Sequence, residues 1–237
     1  MIRFRRSRIK LKILLARLTG QPREVVLRHR FNLCAEAWAE NLEHAHRVIA
    51  DKAFQKMGIS ATDRILELGC GEGWASRIMA SRLGEDGQVV GLDISDEMVR
   101  HAQAKSNQSK NVKFICAAAE RVPSQDNFFT KILSIEAFYY FEDQEQVLRE
   151  LLRVTAPLGQ LFLAFCLYKD YPDGLSVADE VKVPVQIRSG SEYKEMLQRS
   201  GWSEVQTEEF VIDQEPGGRK PKAHARALFI SARKPGA

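Results

Sequence analysis

Three observations predict a doubly wound α/β fold: a seven-stranded, mostly parallel sheet with an antiparallel last strand, helices on both faces and a helical cap ahead of it. From residue 60 onward, short apolar runs alternate with helical stretches, the pattern of parallel strands joined by crossover helices. One run, Arg64-Ile-Leu-Glu-Leu68, leads into Gly69-Cys-Gly-Glu-Gly73 and then a helical pattern from Trp74 to Leu83. That reads as a strand, a tight turn needing unusual backbone angles, and a helix. The next run, Gln88 to Leu92, ends in an acid, Asp93.

The elements follow in order. Residues 1–20 form a basic amphipathic extension, and Gly20-Gln-Pro22 breaks it. Glu24 to Met57 reads as two helices, the second Ala-rich with Trp38, Leu42, Val48, Ile49 and Phe54, giving a helical cap over residues 21–58. The main domain, 59–237, opens at Ser60-Ala-Thr-Asp63. Gly84-Glu-Asp-Gly87 is a turn. Ser95 caps a helix running to Ser106, answered by Met98 in its first turn. Strand three is Val112 to Ala117 and strand four Phe128 to Ser134. Ile135-Glu-Ala-Phe-Tyr-Tyr-Phe141 forms the lip of a cleft. Asp143 to Val154 is a helix burying Val147, Leu148, Leu151 and Leu152. Ala156-Pro-Leu-Gly159 turns into strand five, Gln160 to Phe165. Residues 166–190 lack periodicity and read as an insertion over the site. Ser191 caps a helix to Ser200, Gly201 ends it, and Ser203 to Ile212 and Arg226 to Arg233 are the last, mutually antiparallel strands.

The glycine spacing narrows the ligand. A dinucleotide turn wants a sixth-position glycine, where this chain has Trp74, and a phosphate loop wants Lys then Ser or Thr, which are absent. Asp93 stands about 20 residues past the turn, where a ribose diol is gripped in such folds. Glu-Leu-Gly-Cys-Gly-Glu-Gly73 followed by Val-Val-Gly-Leu-Asp93-Ile-Ser resembles the first two motifs of the class I S-adenosylmethionine-dependent methyltransferases, nearest the small-molecule, quinone-biosynthesis type. The resemblance covers residues 32–233, most firmly 63–165, and implies a Rossmann-like domain with S-adenosylmethionine as cofactor.

The resemblance also implies roles. Gly69, Cys70, Gly71 and Gly73 pack against the methionine and ribose portions. Glu67 orients the amino-acid end; alternatively it is a strand-end surface acid. Asp93 accepts from both ribose hydroxyls, a charge-assisted pair, or else caps the turn. Ile94 and Met98 sandwich the adenine. Family members usually carry an Asp two residues before Glu120, where this chain has Ala118, so either backbone near Ala119 and the Glu120 side chain take over the adenine edge or apolar packing holds the adenine. Thr130 replaces the acid that commonly begins strand four, and Ser134 lies at that strand's end. The N-terminal helices cover the cofactor and part of the substrate cleft.

Composition excludes other classes. The chain has 237 residues, 44% hydrophobic and 28% charged, as ordinary globular proteins do. Four widely spread cysteines form no metal or iron–sulfur motif, and they fit a reducing cytoplasm. The formal charge is +4, but seven cations and no acid fall within residues 1–18, which leaves −3 for the remainder. That acidic body offers no nucleic-acid surface. The basic extension reads as a packed or frayed arm, as a contact to an anionic membrane or partner, or as a targeting segment. His44 and His46, two apart on a helix, share no face and read as solvent-exposed or capping.

Methyl transfer from a sulfonium needs alignment and exclusion of water, with a base only for a hydroxyl or acidic-carbon acceptor. Glu136, Tyr139, Tyr140 and His224 are candidates for that base. The cluster Tyr139-Tyr140-Phe141 is either core packing or the wall of a pocket for a flat or apolar acceptor. A nicotinamide oxidoreductase is disfavoured by Trp74. An Asn-Pro-Pro-Tyr motif after strand four is absent, which disfavours base or amide methylation; a protein or RNA acceptor, or binding without methylation, is the remaining alternative.

Overall fold

The computed structural model describes residues 21–38, 42–171, 183–212 and 226–236. Helices α1 (Arg23–Trp38) and α2 (Leu42–Met57) precede β1 (Arg64–Leu68), α3 (Trp74–Ala80), β2 (Gln88–Asp93), α4 (Asp96–Lys105) and β3 (Val112–Cys116). Then come β4 (Phe129–Ile135), a 3₁₀ turn (Phe138–Tyr140), α5 (Gln144–Val154), β5 (Thr155–Phe165), α6 (Gly190–Arg199), β6 (Ser203–Val211) and β7 (Arg226–Arg233). The seven strands form one sheet in the order β3-β2-β1-β4-β5-β7-β6. Strand β7 runs antiparallel to both of its neighbours; the other neighbouring pairs are parallel. The expected architecture is therefore the observed one.

Two apolar layers sandwich the sheet. On one face Ile49, Ala53 and Phe54 of α2 and Trp74, Ala75 and Met79 of α3 cover Ile65, Val89, Leu133 and Phe162. On the other, Val147, Leu148 and Leu151 of α5 and Met196 and Leu197 of α6 cover Leu66, Ile132, Leu161 and Leu163. Central strands contacted on both faces need near-continuous apolar runs, which is why β1 and β4 read that way. The order reverses at β1, between β2 and β4, so the carboxyl ends of β1, β2 and β4 open a crevice at the switch point.

Two local expectations are corrected. Ala156–Gly159 does not form a free turn: it lies within β5, where the pairing jumps from Phe129↔Thr155 to Lys131↔Gln160 and absorbs the extra residues as an irregularity. Helix α6 is capped by Ser189, not Ser191. The Ser189 hydroxyl accepts from the Glu192 amide (3.1 Å) while the Glu192 carboxylate accepts from the Ser189 amide (2.7 Å), a reciprocal pair that Ser191 has no partner to form. Ser95 caps α4 as expected, accepting from the Met98 amide at 3.1 Å. Where the family has an acid, the Thr130 hydroxyl donates to Asp63 (2.7 Å), itself paired with the buried Lys131 ammonium (2.7 Å). Residues 1–18, with the membrane or partner contact expected of them, lie outside the described residues, as does the centre of the 166–190 insertion. No helix among the described residues is long and apolar enough to cross a membrane.

Candidate active site

The turn after β1 is sewn to the end of β2. The amides of Gly69 and Cys70 donate to the Leu92 carbonyl (2.8 and 3.1 Å), and the Gly71 amide donates to Asp93 Oδ2 (2.9 Å). Asp93 Oδ1 accepts from the Ser95 amide at 2.9 Å. Gly69 has φ +73°, and a Cβ there would stand 2.4 Å from the Cβ of Ala137, so only glycine lets the β4 lip approach this turn. Glu72, inside the turn, is buried and held by Arg77 (3.0 Å) and Lys105 (2.8 Å).

Above this crossing lies a cavity of about 790 Å³, within the roughly 300–1,000 Å³ usual for ligand pockets. One half is walled by Glu67, Gly69, Cys70, Gly71, Asp93, Ile94, Met98, Ala119 and Glu120, all expected at the cofactor. The other half is walled by Leu27 and Phe31 of α1, His46 of α2, and Glu136, Ala137, Tyr139, Tyr140 and Phe141 of the lip. Helix α1 is fastened at its first residue and again near its middle. Asn32 donates to Asp96 (2.8 Å) and accepts from the Ser95 hydroxyl (2.6 Å), while the Arg23 guanidinium donates to the carbonyls of Tyr140 (3.2 Å) and Pro184. Phe31 meets Tyr140 edge-on at 5.0 Å.

Two expected cofactor residues stand off the cavity wall. The Ser134 hydroxyl is fully buried and donates to the Leu68 carbonyl (3.0 Å); its neighbour Ile135 lines the cavity instead. Gly73 sits at the start of α3, where a Cβ would strike the Phe114 ring at 2.5 Å, so its role is helix packing. His224 lies outside the described residues. His46, expected at the solvent, is instead turned into the cavity. Helical periodicity shows that two histidines occupy different faces; it does not show which face meets the cleft.

The site's electrostatics follow from burial. Glu67 is fully buried with the Ser76 hydroxyl donating to it, and desolvation pushes its carboxyl up to about 8. Burial also raises Asp93, against the backbone amides that favour its ionised form, and raises Glu120. Tyr139 is raised by burial and by Glu136, and burial pushes Tyr140 up to about 12, so both remain neutral hydroxyls at physiological pH. Glu136 has φ +51°, a strained angle for a non-glycine residue. Both of its oxygens are engaged: Oε1 accepts from the Cys166 amide (2.7 Å) and Oε2 from the Tyr139 hydroxyl (2.9 Å). Burial lowers the His46 imidazole below its ordinary value while the Glu136 carboxylate partly offsets that.

Glu67 gives a pH prediction. Its folded value, about 8, lies above the ordinary 4.5, so the folded protein holds this proton more tightly than the unfolded chain. The resulting stabilisation is complete below pH 4.5 and is lost as pH rises through about 8. The ligand-free protein should therefore melt at progressively lower temperature across that window, and Glu67→Gln should flatten this part of the curve. Parallel curves for the two proteins would place the Glu67 carboxyl in water.

The residues suit a cationic ligand. Seven acidic side chains line the cavity, from Glu24, Glu67, Asp93, Glu120, Glu136, Glu142 and Asp143, against one guanidinium, Arg23, and of the seven Glu67 is held protonated near neutral pH. A phosphate-bearing dinucleotide would meet like charge there, whereas a sulfonium nucleoside with an amino-acid tail meets opposite charge and, in Asp93, an acceptor for its diol.

Comparison with known proteins agrees with this geometry. The methyltransferase-domain family matches residues 66–163. The chain is similar to the 27-O-demethylrifamycin SV methyltransferase of Amycolatopsis mediterranei, 28% identical over 190 residues, 72% of this chain and 69% of that protein. It is similar to the ubiquinone/menaquinone biosynthesis C-methyltransferase UbiE of Ectopseudomonas mendocina, 31% identical over 121 residues, 50% of this chain. The match spans about half of that protein's length, 47%. Among solved structures, a methyltransferase in complex with the Haloferax volcanii Trm112 methyltransferase activator superposes with a TM-score of 0.78 at 23% identity, covering 89% of this chain and 98% of that one. At that identity the likeness is one of fold.

Proposed function

We propose that the chain is a class I S-adenosylmethionine-dependent methyltransferase, a reading its methyltransferase-domain match over residues 66–163 supports, and that it methylates a small, apolar acceptor seated against the aromatic lip. The observation that carries this reading is that one cavity holds both the glycine turn with Asp93 and the aromatic lip, with Leu27 and Phe31 of α1 on its wall. When bound, the cofactor supplies a methyl group on an already activated sulfur. The chain's own residues have three tasks. Asp93 and the Gly69–Gly71 turn hold the nucleoside, with Ile94 and Met98 beside its base and Glu120 and Ala119 at its edge. Glu67 faces the amino-acid end. Leu27, Phe31, Tyr139, Tyr140 and Phe141 exclude water and position the acceptor, so that ordering and desolvation do most of the work. The relatives above act on a rifamycin and on quinone precursors by name, which supports an acceptor with a flat apolar frame.

The test is a mass-spectrometric comparison of metabolite extracts incubated with protein and isotope-labelled cofactor. Small apolar compounds that gain one labelled methyl group are the expected products. Label appearing only in protein or RNA would replace this reading with a macromolecular acceptor. Cofactor binding with no label transferred to anything would leave a binding protein of the same fold.

A further inference from the structure

We propose that His46 is the general base of this site, sharing its cavity wall with the Glu136 carboxylate, and that the acceptor is therefore a weakly acidic hydroxyl, a phenol or enol, on an apolar frame. The proposal rests on the small-acceptor reading above and makes it specific. Glu136 is held in place, its two oxygens taking the Cys166 amide and the Tyr139 hydroxyl. Glu136 also stands in a left-handed backbone conformation, φ +51°. Tyr140 is buried and costly to ionise. Among the described residues His46 combines a place on the acceptor-side wall with an imidazole that burial biases toward its neutral, proton-accepting form. Its electrostatic partner is the fixed Glu136 carboxylate. The arrangement is a base and a carboxylate lining one cavity, the carboxylate held by a tyrosine and a backbone amide.

Glu24, Glu120, Glu142 and Asp143 also line this cavity; the groups nearest in role to a base are otherwise engaged. Tyr139 and Tyr140 on the lip stay neutral, Glu67 on β1 is tied to Ser76, and Asp93 on β2 is tied to two backbone amides. Arg23 on α1 is turned toward the carbonyls of Tyr140 and Pro184. In the transfer, the acceptor O–H bond breaks with its proton passing to an imidazole nitrogen of His46. The freed oxygen pair forms the new C–O bond, the C–S bond breaks with its pair remaining on sulfur, and the imidazolium releases its proton to water as product leaves.

Two measurements test this. The first needs no turnover. In histidine-labelled protein, with the His46 resonance assigned from His46→Gln, the Glu136→Gln variant should lower the His46 pKa, because the carboxylate favours the imidazolium. An unchanged titration would separate the two residues and overturn the proposal. The second uses [methyl-¹³C]S-adenosylmethionine and the metabolite extract. The product carbon should carry the chemical shift of an O-methyl group. His46→Gln should cut its yield roughly 10²–10⁴-fold, with recovery at alkaline pH, where the acceptor ionises unaided, and with S-adenosylhomocysteine affinity unchanged. A methyl on carbon, nitrogen or sulfur, an undiminished yield, or a loss of S-adenosylhomocysteine binding would each overturn the assignment of the base. Intact binding with no small molecule methylated would instead overturn the small-acceptor reading beneath it.

Discussion

Asp93→Ala should weaken S-adenosylhomocysteine binding by about 2–3 kcal/mol, roughly 30- to 150-fold in Kd. Each oxygen of this carboxylate takes one backbone amide, Gly71 or Ser95. A carboxylate oxygen has a second acceptor site, so both can still receive a ribose hydroxyl across the cavity wall. Alanine removes those two charge-assisted bonds together. It also leaves the Gly71 and Ser95 amides unpaired, which loosens the glycine turn. The two consequences separate by measurement: calorimetry with S-adenosylhomocysteine reads both, and melting of the ligand-free protein reads the second alone. The ligand-free loss should be the smaller, because water entering the cavity can solvate the freed amides and because a carboxylate already raised by burial is itself a cost to the fold. An unchanged dissociation constant would make Asp93 a turn cap only.

The parts of this fold that were readable in the sequence are those fixed by local chemistry. Arg64–Leu68 and Arg226–Arg233 come out with the bounds expected of them, since an apolar run between polar or glycine boundaries leaves little choice of ends. The glycine turn and Asp93 were legible because their spacing states a backbone conformation and a neighbouring strand. The cap of α6 was also written in the sequence, as Ser189 three residues before Glu192; Ser191 lacks an acid at that offset. Other features depend on tertiary placement that no local pattern encodes. Ser134 stands one residue from the cavity-lining Ile135, and the direction of a strand-end side chain turns on register with β1. His46 reaches the site only because α2 packs across the ends of β4 and β5. The irregularity at Ala156–Gly159 has turn composition, and it falls within a strand because the residues on either side, Thr155 and Gln160, both pair with β4.

Gly69→Ala is expected to be more damaging than its single methyl group suggests. The residue has φ +73°, which costs a non-glycine side chain about 1–2 kcal/mol. The added Cβ would also lie 2.4 Å from the Cβ of Ala137. Ala137 has no rotamer to change, so the backbone of one loop or the other must move, and overpacking of this kind costs about 1–3 kcal/mol more. The movement falls on functional ground. One side of the contact is the cofactor turn; the other is the lip that carries Glu136, Tyr139 and Tyr140. Stability should drop by about 2–5 kcal/mol, and S-adenosylhomocysteine binding should be lost or severely weakened in the protein that remains folded. Gly58→Ala supplies the control: its φ is +54°, but nothing lies within 4 Å of the new Cβ, so it bears the backbone cost alone. If denaturant midpoints for the two variants coincide and Gly69→Ala still binds S-adenosylhomocysteine normally, the turn and the lip are not in the close contact on which the geometry of this site depends.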